Sequence, residues 1–243
     1  MGRRKKKKYN NSIKLLIILF LVGSIISTYY QDDIENFLLN LTQESYALDT
    51  IPDYSGKSYV IINNNEPNFD NIDLSKESYE KYSNLDILGR AGVAIANIGK
   101  DLMPTEERES IGMIKPSGWH TIKYDIIEGK YLYNRCHLIG FQLTGENAND
   151  KNLITCTRQM NTEGMLDFEN KVADYIKKTN NHVLYRVTPI YIDNNKLASG
   201  VQMEALSIED NGRGIKFNVY VYNVQDGIEI DYKTGESKLE EEI

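Results

Sequence analysis

The chain has 243 residues, with 28 basic and 35 acidic side chains and a formal charge of −7. Hydrophobic residues make up 41% and charged residues 26%, a balance typical of a globular protein that excludes disordered and collagen-like chains. Two cysteines exclude a disulfide-stapled mini-domain and a four-cysteine zinc site. The overall acidity, taken alone, argues weakly against a nucleic-acid partner.

Residues 1–30 predict a signal-anchor or a signal peptide. They hold seven basic residues and no acidic one, so the remaining chain has 21 bases against 35 acids, a formal charge of −14. The bases precede an uncharged apolar run of twelve residues, 15–26. Because basic residues stay on the cytoplasmic side, we expect the rest outside the cytoplasm, either on a single-pass anchor with its N-terminus inside or secreted. No cleavage site is clear, so both alternatives stay open.

The exported part is predicted as a linker over residues 31–57, a domain over 58–232 and a charged, frayed tail over 233–243. In chain order, the domain begins with a strand at 58–62, followed by a loop or weak helix at 79–88 and a buried strand at 92–97. The other strand candidates are 119–126, 183–192, 198–206 and 215–224. The last three, separated by Asn-rich turns, predict an antiparallel meander.

One helix precedes this meander. Met165, Phe168, Val172 and Ile176 recur at helical spacing, and Asn180-Asn181 ends the pattern. The predicted class is therefore α+β, with an antiparallel sheet core and a central helix.

The most informative stretch begins at Asn134. Arg135 and His137 are two residues apart, so on a strand both face the same side, and a cation beside the imidazole favours the neutral form that a general base needs. Asn161 and Glu169 are eight apart, about two helical turns. Their oxygens are hard ligands suited to Mg²⁺. The combination is compatible with phosphodiester hydrolysis.

These residues resemble the DNA/RNA non-specific endonuclease family, whose active site is the ββα-metal (His-Me finger) motif, and in particular its bacterial DNA-entry branch. The family pattern is (Asp/Asn)-Arg-Gly-His, an Asn on the next strand, an Asn nine residues later and a Glu eight beyond that. Asn134, Arg135, His137, Asn152, Asn161 and Glu169 match it in order. Further similarity at 88–94 and 116–120 extends the resemblance over roughly residues 55–230.

The resemblance implies a role for each residue. His137 takes a proton from the attacking water, and Asn161 is the direct protein ligand of a hydrated Mg²⁺, with Mn²⁺ as a substitute. Glu169 holds metal-bound water or orients the site, Arg135 contacts phosphate, and Asn152 supports the hydrogen-bond network around His137. The products carry 5′-phosphate and 3′-hydroxyl ends, and no small-molecule cofactor is expected.

Two positions depart from the pattern. The Gly between Arg and His is Cys136 here, and Asn134 cannot carry the charge of an Asp. Outside the cell Cys136 can pair with Cys156, but a disulfide and two free thiols both remain open from sequence.

Three arginines are candidates for substrate binding, since an acidic domain needs local bases to hold DNA. They are Arg90, Arg108 and Arg158. His120 and His182 lack the spacing to join His137 in a zinc site and are interpreted as structural.

The leading hypothesis is an exported, Mg²⁺-dependent endonuclease that cuts DNA, with RNA as a further substrate, and has little sequence preference because its chemistry addresses phosphate. Two alternatives remain: an inactive surface DNA-binding module for uptake, and a secreted antibacterial nuclease toxin.

Overall fold

The computed structural model describes residues 45–69, 74 and 76–241. The predicted N-terminal segment 1–30 and residues 31–44 of the predicted linker lie outside the described residues. Within the described ranges, no helix combines the length and apolarity needed to cross a membrane.

A seven-stranded sheet forms the scaffold, in the order β1-β2-β9-β8-β7-β4-β3. β1 pairs with β2 in parallel, and every other neighbouring pair is antiparallel. The strands are β1 (Ser45–Tyr46), β2 (Tyr59–Ile62), β3 (Tyr79–Tyr82), β4 (Ala94–Ile98), β7 (Val183–Ile190), β8 (Gly200–Ser207) and β9 (Lys216–Tyr222). The predicted meander is confirmed as β7-β8-β9.

Two hairpins stand apart from this sheet. β5 (Tyr133–His137) pairs antiparallel with β6 (Leu153–Thr157), and β10 (Ile228–Ile230) pairs with β11 (Ser237–Leu239). Between β5 and β6 lies the short helix α1 (Phe141–Thr144). After β6 the chain forms a π-helical turn (Met160–Met165) that continues directly into α2 (Leu166–Thr179). The α+β class with a central helix is thus confirmed.

The main core lies between α2 and the sheet. Phe168, Val172, Ala173 and Ile176 are buried on one face of α2, as the sequence periodicity predicts. The Phe168 ring lies 4.8 Å from that of Phe217 on β9. The helix ends where Asn180 adopts a left-handed backbone conformation, with φ of 57°. This packing fixes the start of α2 beside the β5–β6 hairpin.

Two element predictions are wrong in the middle of the chain. Residues 79–82, expected as loop or weak helix, form β3 at the sheet edge, where their polar side chains are tolerated. Residues 119–126, expected as a strand, are largely irregular, and their one ladder contact is an isolated bridge between Lys123 and Tyr131. Gly129 and Lys130 turn the chain back there with positive φ.

The predicted domain boundaries also need correction. Residues 45–57, assigned to the linker, include β1 and pack on the sheet, where Tyr222 donates a hydrogen bond to the Pro52 carbonyl at 2.8 Å. The tail, expected to fray, pairs through β11 with β10. Both segments therefore belong to the folded domain.

Candidate active site

The β5–β6 hairpin and the start of α2 enclose a pocket of about 260 Å³. The pocket brings together five of the residues selected from the sequence, and Arg108 reaches it from a distant loop. The other four are Arg135, His137, Asn161 and Glu169. Gly140, Phe141, Gln142 and Leu166 complete its lining. The strand supplies the histidine and the helical segment supplies the amide and the carboxylate, which is the ββα arrangement expected from the resemblance.

His137 is buried, with 7% of its surface exposed. Its Nε2 lies 2.8 Å from the Asn147 carbonyl oxygen. Because a carbonyl only accepts, Nε2 carries the proton and Nδ1 has the free lone pair of the neutral ring. Burial, together with the Arg108 charge, lowers the pKa of His137 to about 4. The imidazole is therefore neutral at pH 7, with Nδ1 available as a proton acceptor.

The cation beside His137 is Arg108 and not Arg135, which the sequence spacing had favoured. Arg108 Nη2 lies 3.4 Å from His137 Nδ1. Arg135 donates instead to the carbonyls of Ile114, at 2.5 Å, and Gly112, at 2.9 Å, and its guanidinium stacks 3.9 Å from the centre of the Trp119 ring. Arg135 thus anchors the loop that follows Arg108, while Arg108 approaches the histidine.

Asn152 acts on the backbone beside His137. Its side chain is fully buried; Oδ1 accepts from the Ile139 N–H at 2.9 Å and Nδ2 donates to the Ile139 carbonyl at 3.0 Å. This pair of bonds fixes the chain where β5 ends, two residues after His137. The predicted supporting position therefore works through Ile139, with no direct bond to the imidazole.

A disulfide joins Cys136 on β5 to Cys156 on β6, with Cα atoms 5.9 Å apart. The structure thus answers the question that the sequence left open. Cys136 Sγ lies 3.2 Å from Asn161 Oδ1, but a disulfide sulfur has no proton to donate. Among the described residues, that sulfur is the one polar contact of this amide oxygen, so its lone pairs are available for a ligand.

Glu169 lies partly buried against Gly140. A Cβ at position 140 would stand 2.6 Å from Glu169 Oε2, so only glycine admits the carboxylate there. Desolvation raises the pKa of Glu169 to about 8, against the opposing effects of Gln142 and Arg108. Among the described residues, no lysine, arginine or histidine forms an ion pair with it within 4.0 Å. The pocket thus holds a desolvated carboxyl group without a cationic partner among the described residues.

These donors fit a hard cation. Among the described residues, no cluster of three or more His, Cys, Asp or Glu side chains could hold a metal ion, which excludes an all-protein zinc cage in that part of the chain. An amide oxygen without a donor and a desolvated carboxylate in one pocket are instead the sparse oxygen ligands that Mg²⁺ uses when it keeps its waters. Asn161 and Glu169 would hold it.

A second groove, of about 510 Å³, adjoins this pocket and shares Arg108, Arg135 and Asn161 with it. Its other lining residues are Ile111, Trp119, Thr121, Tyr131, Tyr133, Asn134 and Arg158. Arg158 Nη2 lies 3.6 Å from the highly exposed Glu128 carboxylate. The buried Nε of Arg158 has no hydrogen-bond partner among the described residues. Two of the three predicted substrate-binding arginines, Arg108 and Arg158, therefore line the groove.

Arg90 lies outside both cavities. Its guanidinium pairs with Asp86 at 2.7 Å, donates to the carbonyls of Asp193 and Asn195, and stacks 4.5 Å from the centre of the Tyr191 ring. Its Nε and Nη1 groups thus hold the fold together away from both cavities, and its role in substrate binding stays a prediction.

Sequence reasoning missed two backbone contributions. The Asn147 carbonyl sets the His137 tautomer, and any residue could supply that carbonyl, so no sequence signal marks it. Gly140 makes room for Glu169; its position three residues after His137 was visible, but its purpose was not. The histidines interpreted as structural lie elsewhere: His120 contacts the Thr234 carbonyl and His182 pairs with Glu209.

The fold and the site together define a nuclease of the ββα type, and solved structures share that fold. NucA from Streptococcus agalactiae superimposes with a TM-score of 0.68 without metal and 0.69 with a magnesium ion bound. The identities are 27% and 26%, over 84% and 85% of this chain and 96% of each NucA chain. Sda1 nuclease with a bound zinc ion gives a TM-score of 0.56 at 31% identity, over 68% of this chain and 81% of Sda1.

The family model for DNA/RNA non-specific endonucleases matches residues 70–208. The chain belongs to the DNA/RNA non-specific endonuclease family, and the resemblance stated from the sequence is confirmed. Nucleic acid is therefore its substrate class.

Proposed function

We propose that this endonuclease hydrolyses phosphodiester bonds of DNA, and of RNA, with little sequence preference and with a divalent cation as cofactor. The observation that carries the proposal is the neutral His137, whose Nδ1 shares one pocket with the amide oxygen of Asn161 and the carboxylate of Glu169.

His137 supplies the base. Water attacks the phosphorus, its proton passes to Nδ1, and the bond to the 3′ oxygen breaks, which leaves 5′-phosphate and 3′-hydroxyl ends once that oxygen is protonated by solvent. The Asn147 carbonyl keeps Nε2 protonated and stabilises the imidazolium that forms. Asn152 holds the ring in place through Ile139.

Asn161 and Glu169 would hold the cation. The cation, when bound, supplies positive charge at the scissile phosphate and at the leaving oxygen. Mg²⁺ is the proposed ion, with Mn²⁺ as a substitute, because the protein donors are oxygens and few. The magnesium-bound NucA supports this choice, although the zinc-bound Sda1 shows that a relative can carry another metal.

Arg108 replaces Arg135 as the proposed phosphate contact at the reacting centre. The Arg108 guanidinium lies at the junction of the two cavities. Among the described residues, its one hydrogen-bond contact is the 3.4 Å approach of Nη2 to His137 Nδ1, so its remaining N–H groups can bind a phosphate. Arg135 orients it indirectly by anchoring residues 112–114.

We propose that the domain works outside the cytoplasm. The disulfide between two buried cysteines persists in oxidising compartments, and the basic-then-apolar residues 1–30 are typical of an export segment. Mass spectrometry of the native protein would distinguish a retained membrane anchor from a cleaved signal peptide.

The test is cation-dependent cleavage with chemical rescue. We expect plasmid cleavage in Mg²⁺ or Mn²⁺ and none in EDTA. His137→Gly should lose activity and regain part of it with added imidazole, which replaces the base without replacing a metal ligand. DNA binding without turnover by the wild type in Mg²⁺ would instead support an inactive DNA-binding module. Absence of rescue at every imidazole concentration would contradict the base assignment.

A further inference from the structure

The groove beside the active-site pocket has a composition that the hydrolytic chemistry does not require. It combines aromatic rings, Trp119 and Tyr131, with the guanidinium groups of Arg135 and Arg158. No acidic residue is among the described residues that line it, although residues 31–243 carry a formal charge of −14. A cationic, aromatic groove in an acidic domain matches the chemistry of a nucleotide, which has an aromatic base and an anionic phosphate.

The position of the groove relates it to the scissile bond. It shares Arg108, Arg135 and Asn161 with the pocket that holds His137 and Glu169. A nucleic-acid strand whose scissile phosphate lies in that pocket therefore continues into the groove with an adjoining nucleotide.

Tyr131 has the exposure that a stacking residue needs. It is 47% exposed, whereas Tyr133 is buried with its hydroxyl bonded to the Gly235 carbonyl at 3.0 Å, and Trp119 is covered by the Arg135 guanidinium. Backbone bonds between Tyr124 and Lys130, and between Leu132 and Ile122, hold the turn that carries Tyr131 in place. Lys123 Nζ lies over the Tyr131 ring, 4.4 Å from its centre. This lysine is exposed, so it adds positive charge at the groove and can move aside for a base.

Arg158 has the charge that a phosphate contact needs. Its ion pair with Glu128 is long, at 3.6 Å, and the Glu128 side chain is 89% exposed, so water screens the pair and it is easily exchanged. Its Nε is buried and has no hydrogen-bond partner among the residues that the structure describes. A phosphate in the groove can therefore replace Glu128 at little cost.

We propose that this groove is a subsite for one unpaired DNA nucleotide next to the scissile phosphate, with its base stacked on Tyr131 and its phosphate paired with Arg158. The inference rests on the proposed function, since it extends the strand from the same catalytic pocket. Stacking on Tyr131 requires a base released from its duplex partner, so the subsite favours single-stranded or locally opened DNA.

Binding in EDTA tests the subsite without catalysis. We expect the full-length protein to bind a fluorescent thymidine octamer more tightly than a duplex of equal length, measured by anisotropy. Tyr131→Ala should weaken octamer binding about tenfold, the loss expected for one base stacked on an aromatic ring. Tyr131→Phe, which keeps the ring, should stay within about twofold, since stacking needs the π-face and not the hydroxyl. Arg158→Gln should weaken octamer binding. It should also make the dependence of the binding constant on salt concentration shallower by about the amount that one phosphate contact contributes.

Matched controls come from the same surfaces. Ile126→Ala removes another exposed side chain from the turn that carries Tyr131, and Arg213→Gln removes an exposed arginine that lines neither cavity. Both should bind like the wild type. If Tyr131→Ala fails to fold, Tyr131→Leu keeps the bulk and removes only the aromatic face.

Two results would overturn the subsite. The first is a folded Tyr131→Ala or Tyr131→Leu variant that binds the octamer within about twofold of the wild type, which is less than one stacked base contributes. The second is an equal loss of affinity for the octamer and for the duplex. Neither depends on cleavage. Continued cutting by His137→Ala would reject the catalytic assignment and leave this binding result standing.

Discussion

Two glutamates show how differently the sheet and the active-site hairpin treat a buried charge. Glu204 on β8 is almost fully buried, and its carboxylate pairs with Arg186 at 2.7 Å and accepts from the Asn68 N–H at 2.9 Å. Glu169 on α2 is desolvated, and among the described residues it has no ion-pair partner. A desolvated carboxylate without an ion-pair partner destabilises the fold. The proposed cation would account for its presence in the pocket.

The histidines repeat this contrast. His182, directly before β7, bonds to the Glu209 carboxylate twice. Its ring Nδ1 lies 2.7 Å from one oxygen, and its backbone N–H donates to the other. His137 lies beside the cationic Arg108. Burial, together with this charge, lowers the pKa of His137 to about 4. The sheet region pairs its acidic groups with basic side chains, whereas the pocket leaves Glu169 without an ion pair and places His137 beside a cation. The difference distinguishes residues that stabilise the protein from the residues proposed to act on substrate.

The largest expected effect tests that separation between the histidines. His137→Ala should lower kcat for plasmid cleavage in Mg²⁺ by about a thousandfold, because the proton acceptor is lost. His182→Ala should keep cleavage near the wild-type rate and lower the free energy of unfolding, because only the Glu209 pair is lost. Undiminished cutting by His137→Ala, or an equal loss in both variants, would break the comparison.

The disulfide explains how a two-stranded hairpin can carry such groups. An isolated hairpin is marginally stable, and within the described part of the chain β5–β6 pairs with no strand of the main sheet. A disulfide closing a loop of this length stabilises by about 3 kcal/mol. Reduction should therefore lower the melting temperature and the cleavage rate together. Mass spectrometry after alkylation of the unreduced protein should find no modified cysteine, and two modified cysteines would contradict the bond.

The sequence predicted the parts of this comparison that depend on local pattern. The spacing of His137, Asn161 and Glu169 predicted a shared site, and the structure places all three in one pocket. The periodicity of α2 was sufficient to find the helix. It did not predict β3, because Tyr79–Tyr82 has polar side chains that suit only an edge strand. It also assigned the wrong cation to His137, because Arg108 is 29 residues away along the chain and only the folded loop brings it near.

Two arginines sharpen the comparison further. Arg108→Gln should lower kcat/KM by about a hundredfold, since a charge at the reacting phosphate is lost. Arg90→Gln should leave cleavage unchanged and lower the melting temperature, because Arg90 holds the carbonyls of Asp193 and Asn195. Steady-state cleavage and thermal unfolding of both variants separate these outcomes. A cleavage defect in a folded Arg90→Gln variant would instead support the predicted role of Arg90 in substrate binding.

The smallest effect concerns the stability of the metal-free protein. The pKa of Glu169 is about 8 in the folded state and about 4.5 in the unfolded one, so the folded state binds the extra proton and stability falls as pH rises towards 8. His137 acts in the opposite sense, but only between about pH 4 and its unfolded pKa of 6.5. Above pH 7 the His137 contribution no longer changes with pH, whereas the Glu169 contribution still does.

Between pH 7 and pH 9 in EDTA, the free energy of unfolding should therefore fall, by on the order of 1 kcal/mol, because the folded state loses the Glu169 proton in that range. Glu169→Gln should remove that fall and be more stable than the wild type at pH 9, while losing cleavage activity. Glu204→Gln should be less stable than the wild type, because it leaves Arg186 without its partner. Urea titrations at both pH values measure all three. A Glu169→Gln variant that behaves like Glu204→Gln would show that the site carboxylate is a structural group after all, and that the cation has a different ligand.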